Sequence, residues 1–187
     1  MPPDTESPHG GEHPAQRKVG WWIGSLSGLA GIAGLILGFT QACEPEGPTA
    51  EEWREKANAV CEQQLPTVDA ELDSAVRWAT YLVRQVADNR ATPSDVVHTT
   101  SATRSAANTL QYFVGSLRAI DRPDAMKDDI QRALDTGSDI TGALNAAAKG
   151  LESGNLAEAS GRLAAVQQGL APWTAQMRAL EATRCAR

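Results

Sequence analysis

The chain begins with a polar segment, continues with an uncharged apolar segment, and ends in a long region where apolar residues recur every three or four positions. No residue from Val19 to Ala42 is charged, and Arg17 and Lys18 lie directly before this stretch. A helix of this length measures about 36 Å, enough to cross a hydrocarbon core of about 30 Å. The pattern therefore predicts a transmembrane helix, or an uncleaved signal anchor, over residues 19–42.

The long region that follows has the apolar period of helices and shows no alternating strand pattern. Thr49 and Glu52 form a capping box that starts a helix near residue 50, and Pro66 either kinks or interrupts it. Counting from Cys61, four stretches of similar length follow, over residues 61–90, 93–121, 124–152 and 155–185. Short turns make neighbouring helices antiparallel, so the expected fold is all-α, an up-down-up-down four-helix bundle with a short leading helix.

These patterns divide the chain into four parts. Residues 1–18 carry four prolines and few apolar side chains, which predicts a disordered cytoplasmic tail before the transmembrane helix. A linker over residues 43–48 joins the predicted membrane segment to one helical domain over residues 49–187. Basic residues precede the apolar stretch and the acidic Glu44 and Glu46 follow it, so the tail should stay in the cytoplasm and the bundle outside it. The expected location is the cell membrane, in a single-pass arrangement.

Cleavage after the apolar stretch is the alternative to a retained anchor. Thr40, Gln41 and Ala42 precede Cys43 in a pattern similar to a small-residue peptidase site, and a cysteine here is similar to lipoprotein signals. Lipoprotein sites, however, carry Leu three residues before the cysteine and a small residue two before it, where this chain has Thr40 and Gln41. The apolar stretch also exceeds the usual h-region of about 7 to 15 residues. Retention, lipidation of Cys43 and simple cleavage all remain open, and each leaves the bundle outside the cytoplasm.

Glycines form one face of the predicted membrane helix. At about 100° per residue they fall within an arc of about 120°, and they are Gly20, Gly24, Gly28, Gly31, Gly34 and Gly38. A flat face of this kind lets a second helix backbone approach closely. We expect helix association through this face, with a homodimer as the simplest form. The alternative is that the glycines only reflect the general frequency of small residues in membrane spans.

Two cysteines are placed to form a disulfide bond. Cys61 lies early in the first stretch and Cys185 late in the fourth, and in the expected bundle these positions meet at one end. The predicted compartment is oxidising, so the bond is chemically allowed. We expect a Cys61–Cys185 disulfide, with two reduced core cysteines as the alternative. Cys43 is the odd cysteine and a possible lipidation site.

Charge and missing motifs exclude several function classes. The net charge is −6, whereas nucleic-acid binding needs a basic face. The chain has neither a Gly-rich phosphate loop nor a nucleophile elbow. His98 is the only histidine of the helical region, and a single Glu-x-x-His-like pair with Asp95 does not make a bundle metal site. We therefore expect no catalytic residue, no metal, no cofactor and no nucleic-acid partner.

The acidic cluster of Asp124, Asp128 and Asp129 is explained more simply by a helix start than by calcium binding.

Small and polar residues on the core stripes allow two kinds of packing. The Ala-rich run over 145–149, with Thr100 and Thr103, permits either close helix packing, which is favoured, or a cavity for an apolar ligand. An exposed pair of tryptophans would mark a partner site. Otherwise the helical-region tryptophans are expected in the core or at its edge, and they are Trp53, Trp78 and Trp173.

The sequence Ala-Asn-Ala-Val-Cys at residues 57–61, with a late Cys185, resembles a set of uncharacterised actinobacterial exported or lipid-anchored helical-bundle proteins. The resemblance implies export and no known activity. We expect a non-enzymatic single-pass envelope protein that presents a disulfide-closed bundle to another envelope or surface component. The alternative is a lipid-anchored extracytoplasmic protein that binds a small apolar ligand between its helices. The membrane bilayer is a partner in both interpretations.

Overall fold

The computed structural model describes residues 47–186, and this part is entirely helical apart from its turns and ends. The all-α prediction is confirmed for these residues. Two short 3-10 helices accompany four long helices, and in chain order the elements are α1 (Ala50–Ala87), α2 (Pro93–Arg118), a 3-10 helix (Asp124–Met126), α3 (Lys127–Glu152), α4 (Leu156–Ala179) and a terminal 3-10 helix (Thr183–Cys185).

The predictions for the first 46 residues lie outside the described part. They are the tail over 1–18, the membrane segment over 19–42 with its six glycines, and the possible lipidation site Cys43. Among residues 47–186, none of the helices combines the length and the apolar character needed to cross a membrane.

Side-chain caps fix where the long helices begin. Thr49 and Glu52 form the predicted capping box of α1, since each accepts a hydrogen bond from the backbone N–H of the other. α2 begins at Pro93, whose fixed φ suits a first helical position, directly after its N-cap Thr92. At the start of α4, Asn155 accepts a hydrogen bond from the Glu158 N–H at 3.1 Å.

The prediction of a separate short leading helix was wrong, because α1 runs through Pro66 without interruption. Proline removes one backbone hydrogen bond and crowds the preceding turn, which usually breaks a helix. Here Leu65 and Val68 are buried on either side of Pro66 while Pro66 itself is exposed. The buried face is therefore continuous through the proline and holds the helix together.

Successive helices are antiparallel. Gln64, early in α1, hydrogen-bonds Ser116 near the end of α2, whereas Thr99 near the start of α2 reaches the backbone carbonyl of Trp78 late in α1. α2 packs against α3, and α3 against α4, with the same opposed direction. This arrangement brings α1 and α4 to neighbouring positions without close backbone packing between them.

The predicted disulfide is present at one end of the bundle. Cys61 and Cys185 are both buried, and their Cα atoms are 5.1 Å apart. Arg54 reinforces this closure, since its Nε donates to the Leu180 carbonyl at 3.2 Å and its guanidinium pairs with Glu181 at 2.8 Å. The end of the chain is thus attached to the first turns of α1.

The core is asymmetric along the bundle. One large cluster fills most of it and includes Trp53, Phe113 and Trp173, with Phe113 and Trp173 packed edge to face. A separate, small cluster built on Leu82 and Leu151 occupies the end opposite the disulfide. At that end fewer large side chains lie between α1 and α4.

Candidate functional site

A cleft of about 480 Å³ lies between α1 and α4 at the end of the bundle opposite the disulfide. α1 contributes Leu82, Val83 and Val86, and α4 contributes Leu156 and Leu163. The lining is completed from the other two helices and by smaller residues, among them Leu151, Thr99, Ala79, Ala159 and Ala164. We call this the α1–α4 cleft. Its volume lies within the range of about 300–1,000 Å³ that is typical of small-molecule sites.

Glycines lie where α3 and α4 approach each other closely. A Cβ atom on Gly150 would lie 3.1 Å from the backbone N of Ala159, and one on Gly169 would lie 2.8 Å from Cγ1 of Ile140. A larger residue at either position would require α3 or α4 to shift, so the two glycines permit the close α3–α4 contact. The residues that α4 turns towards α1 include the small Ala159 and Ala164, which do not fill the remaining space.

A smaller cavity of about 100 Å³ continues the cleft towards the disulfide end. It shares Ala79 and Leu163 with the main cleft and extends along α1 to Leu72 and along α4 to Leu170. From Leu72 to Val86 the apolar path follows α1 for roughly 20 Å at 1.5 Å per residue. The cleft is therefore elongated along the helix axes.

Two of the five polar side chains that line the cleft, Thr80 and Thr99, use their hydroxyls in bonds to the backbone. The Thr80 hydroxyl donates to the Val76 carbonyl at 2.8 Å. The Thr99 hydroxyl lies 2.8 Å from the Asp95 carbonyl and 3.3 Å from the Trp78 carbonyl. Because both hydroxyls donate to backbone carbonyls, they offer no free donor to a ligand in the cleft.

Arg84 is the one charged residue in the described lining of the cleft and its extension. It is exposed at the cleft and forms no ion pair with any of residues 47–186. Asp88, four residues later and the natural partner on the same helix face, is paired with Arg90 instead. The described lining of the cleft contains no Asp or Glu. Arg84 thus places an uncompensated positive charge beside an apolar cavity.

Of the positions that suggested a cavity in the sequence, Ala147 and Thr103 are fully buried. Thr100 is also buried but borders a surface groove of about 620 Å³ on α2, whose other lining residues include Arg104, Asn108 and Glu152. The Thr100 and Thr103 hydroxyls donate to backbone carbonyls one turn earlier at 2.8 Å. The more apolar space lies between α1 and α4. The sequence analysis did not predict the α1–α4 cleft, because the distance between two helices cannot be derived from one apolar stripe. The available signal was the pair Val76 and Val83, two apolar residues that lie beside the main apolar stripe of α1.

The tryptophans occupy two kinds of environment. Trp53 and Trp173 are in the core, whereas Trp78 is half-buried and stacks on the exposed His98 with ring centroids 5.0 Å apart. Tyr81 meets the edge of Trp78 at 5.8 Å. We call Trp78, Tyr81 and His98 the aromatic surface. The pairing of His98 with an α1 residue could not be read from the sequence, because it depends on the α1–α2 register.

Acidic side chains and His98 do not assemble into a metal site in the described part. No group of three His, Cys, Asp or Glu residues within 47–186 is close enough to hold a metal ion. Of the acidic cluster, Asp124 begins a 3-10 helix, Asp128 lies in the first turn of α3, and Asp129 pairs with Arg132.

Comparisons with known proteins add no family to these observations. The chain matches no protein-family model, no curated protein and no solved structure.

Proposed function

We propose that this chain is a non-enzymatic, membrane-attached protein whose disulfide-closed helical bundle lies outside the cytoplasm and binds a small apolar ligand. The observation that carries the proposal is the α1–α4 cleft, an elongated space of about 480 Å³ lined mostly by apolar residues. Burial of apolar surface contributes about 25 cal/mol of favourable free energy for each Å² removed from water, so such a lining favours an apolar ligand.

Membrane attachment is the second part of this proposal. It is supported by the uncharged stretch Val19 to Ala42, by the basic Arg17 and Lys18 before it, and by the cysteine pair. Disulfides persist mainly in oxidising compartments, which agrees with a bundle outside the cytoplasm. The stretch acts as a retained anchor in the simplest form, with its glycine face available for a homodimer. Lipid at Cys43 is the alternative means of attachment.

Two neighbouring alanines of α4 give a matched test of the cleft. Ala164 lines the cleft and Ala165 does not, although both are exposed on the same helix. A long-chain alcohol that carries a photoreactive diazirine is irradiated with the full-length protein in lipid nanodiscs, and the labelled peptides are mapped by mass spectrometry. We expect label on the cleft segments of α1 and α4, with a strong reduction in Ala164→Phe and none in Ala165→Phe.

Label spread evenly over the bundle, or equal labelling of the two variants, would contradict ligand binding in the cleft. Far-ultraviolet circular dichroism of both variants serves as the folding control.

Interaction with another envelope or surface component is a second candidate function, and the aromatic surface favours it. Tyr81 is 42% exposed beside Trp78, and the neighbouring Val97 is 64% exposed. Protein interfaces are enriched in tryptophan and tyrosine. A photo-crosslinking amino acid placed at Tyr81 in native membranes should form a discrete adduct that Trp78→Ala abolishes. The same crosslinker at Arg162 on α4 is the control, and adducts of equal yield at both positions would contradict this function.

A further inference from the structure

We propose that the ligand of the α1–α4 cleft is a long-chain fatty acid, with its hydrocarbon chain along the cleft and its carboxylate on Arg84. This inference rests on the proposed function and adds the chemical class of the ligand. It joins two independent observations: the elongated apolar space, and Arg84, which lines it and has no ion pair among residues 47–186.

The shape of the cleft fits one unbranched chain. The apolar path from Leu72 to Val86 is roughly 20 Å long at 1.5 Å per residue, whereas the cleft and its extension measure only about 480 and 100 Å³. A methylene group is about the size of a water molecule, whose share of liquid volume is about 30 Å³, so the main cleft holds about 16 such groups. This capacity matches one long acyl chain. The two acyl chains of a diacyl lipid would together need more volume than the cleft provides.

The charge of the cleft fits an anionic head group. A guanidinium presents paired N–H donors that match the two oxygens of a carboxylate, and such charge-assisted pairs are the strong hydrogen bonds of proteins. Arg84 is free to make this pair because Asp88 is engaged by Arg90. No acidic residue of the described lining would repel the incoming carboxylate. A neutral apolar ligand would leave Arg84 unused.

The test compares a fatty acid with the alcohol of the same chain length. Diazirine-bearing palmitic acid and the matching diazirine alcohol are each irradiated with the full-length protein in nanodiscs, and labelled peptides are mapped. The variants are Arg84→Ala and Arg84→Lys, and Arg77→Ala is the control because Arg77 is exposed on α1 but lies outside the cleft lining. Unlabelled palmitate and hexadecanol serve as competitors.

We expect Arg84→Ala to reduce acid labelling of the cleft about fivefold, which corresponds to about 1 kcal/mol for a pair made by an exposed guanidinium. Labelling by the alcohol should not change. Arg84→Lys should recover part of the acid labelling, because it keeps the charge without the paired donors, and Arg77→Ala should behave as the natural chain does. Palmitate should compete with the acid probe better than hexadecanol does.

Equal competition by palmitate and hexadecanol, or equal acid labelling of the Arg84→Ala and Arg77→Ala proteins, would overturn the fatty-acid inference and leave the proposed apolar-ligand function standing. A diacyl lipid found in the cleft by native mass spectrometry would overturn it as well. If neither probe labels the cleft segments, both the inference and the proposed function are wrong.

Discussion

At the residue scale, the start of α2 depends on the reciprocal hydrogen bonds of Thr92 and Asp95. The Thr92 N–H and hydroxyl donate to Oδ2 of Asp95 at 2.8 and 2.7 Å, and the Asp95 N–H donates to the Thr92 hydroxyl at 3.3 Å. These bonds, above all the one from the Thr92 backbone, hold the pKa of Asp95 below its ordinary value, and His98 adds a smaller attraction. The ionised carboxylate is therefore the form that caps the helix.

Replacement of Asp95 by asparagine should change how stability depends on pH. Because the folded-state pKa is the lower one, the carboxylate contributes stability above its unfolded pKa of about 3.9 and loses it as the pH falls through the folded value. The natural chain should melt at a higher temperature than Asp95→Asn near neutral pH, and the difference should shrink below about pH 4. Thermal unfolding followed by circular dichroism over this range measures it. A difference that stays constant with pH would contradict the assignment.

Two helical glycines should respond in opposite ways to alanine. Nothing lies within 4 Å of a Cβ added at Gly161, so Gly161→Ala should stabilise the bundle by about 1 kcal/mol through helix propensity. At Gly150 the added Cβ meets the Ala159 backbone at 3.1 Å and the Asn155 carbonyl at 3.3 Å, and Gly150→Ala should destabilise by about 1–3 kcal/mol. Denaturant unfolding of the two variants measures both values. Stabilisation by Gly150→Ala would mean that the α3–α4 contact is looser than described.

At the element scale, the sequence predicted the helices better than the space between them. The cap at Thr49 and the apolar period placed the starts of α1 and α2 correctly, because these signals are local. The end of α3 at Glu152 was also predicted correctly. The other three helices end earlier than predicted, at Ala87, Arg118 and Ala179, since apolar spacing continues into the following turns. The α1–α4 cleft was not predicted, because the distance between two helices depends on their packing and not on the apolar stripe of either one.

The sequence did not decide whether Pro66 kinks or interrupts the first helix. Because α1 continues through it, replacing Pro66 should stabilise this helix. Pro66 is exposed, so Pro66→Ala loses no core contact and restores a backbone N–H donor within the helix. The greater freedom of the unfolded chain offsets part of this gain. We expect a net stabilisation of about 1–2 kcal/mol in denaturant unfolding. A decrease would show that the restriction of the unfolded chain by Pro66 outweighs the lost backbone hydrogen bond.

At the scale of the whole molecule, the bundle is closed differently at its two ends. At one end the Cys61–Cys185 bond and Arg54 join the C-terminal turn to α1, and the large core cluster lies between the helices. At the other end α1 and α4 are separated by the cleft, and only the small cluster around Leu82 and Leu151 lies beneath it. The disulfide therefore joins α1 to the C-terminal turn at the end of the bundle opposite the cleft.

Removing the disulfide should cost much of the stability of this arrangement. The bond joins residues 124 positions apart, and the chain-entropy treatment assigns about 4–5 kcal/mol to a loop of this size, of which somewhat less is usually observed. Cys185→Ser, Cys61→Ser and the double variant should each lose about 3–4 kcal/mol in denaturant unfolding, and the double should match the singles because all three remove one bond. Hydrogen exchange should rise first in the terminal turn, where Cys185 is held against α1, and least in α2 and α3, which pack along their whole length. Losses that add in the double variant would instead indicate that each buried cysteine contributes by packing alone, and the closure of the bundle would then rest on its core.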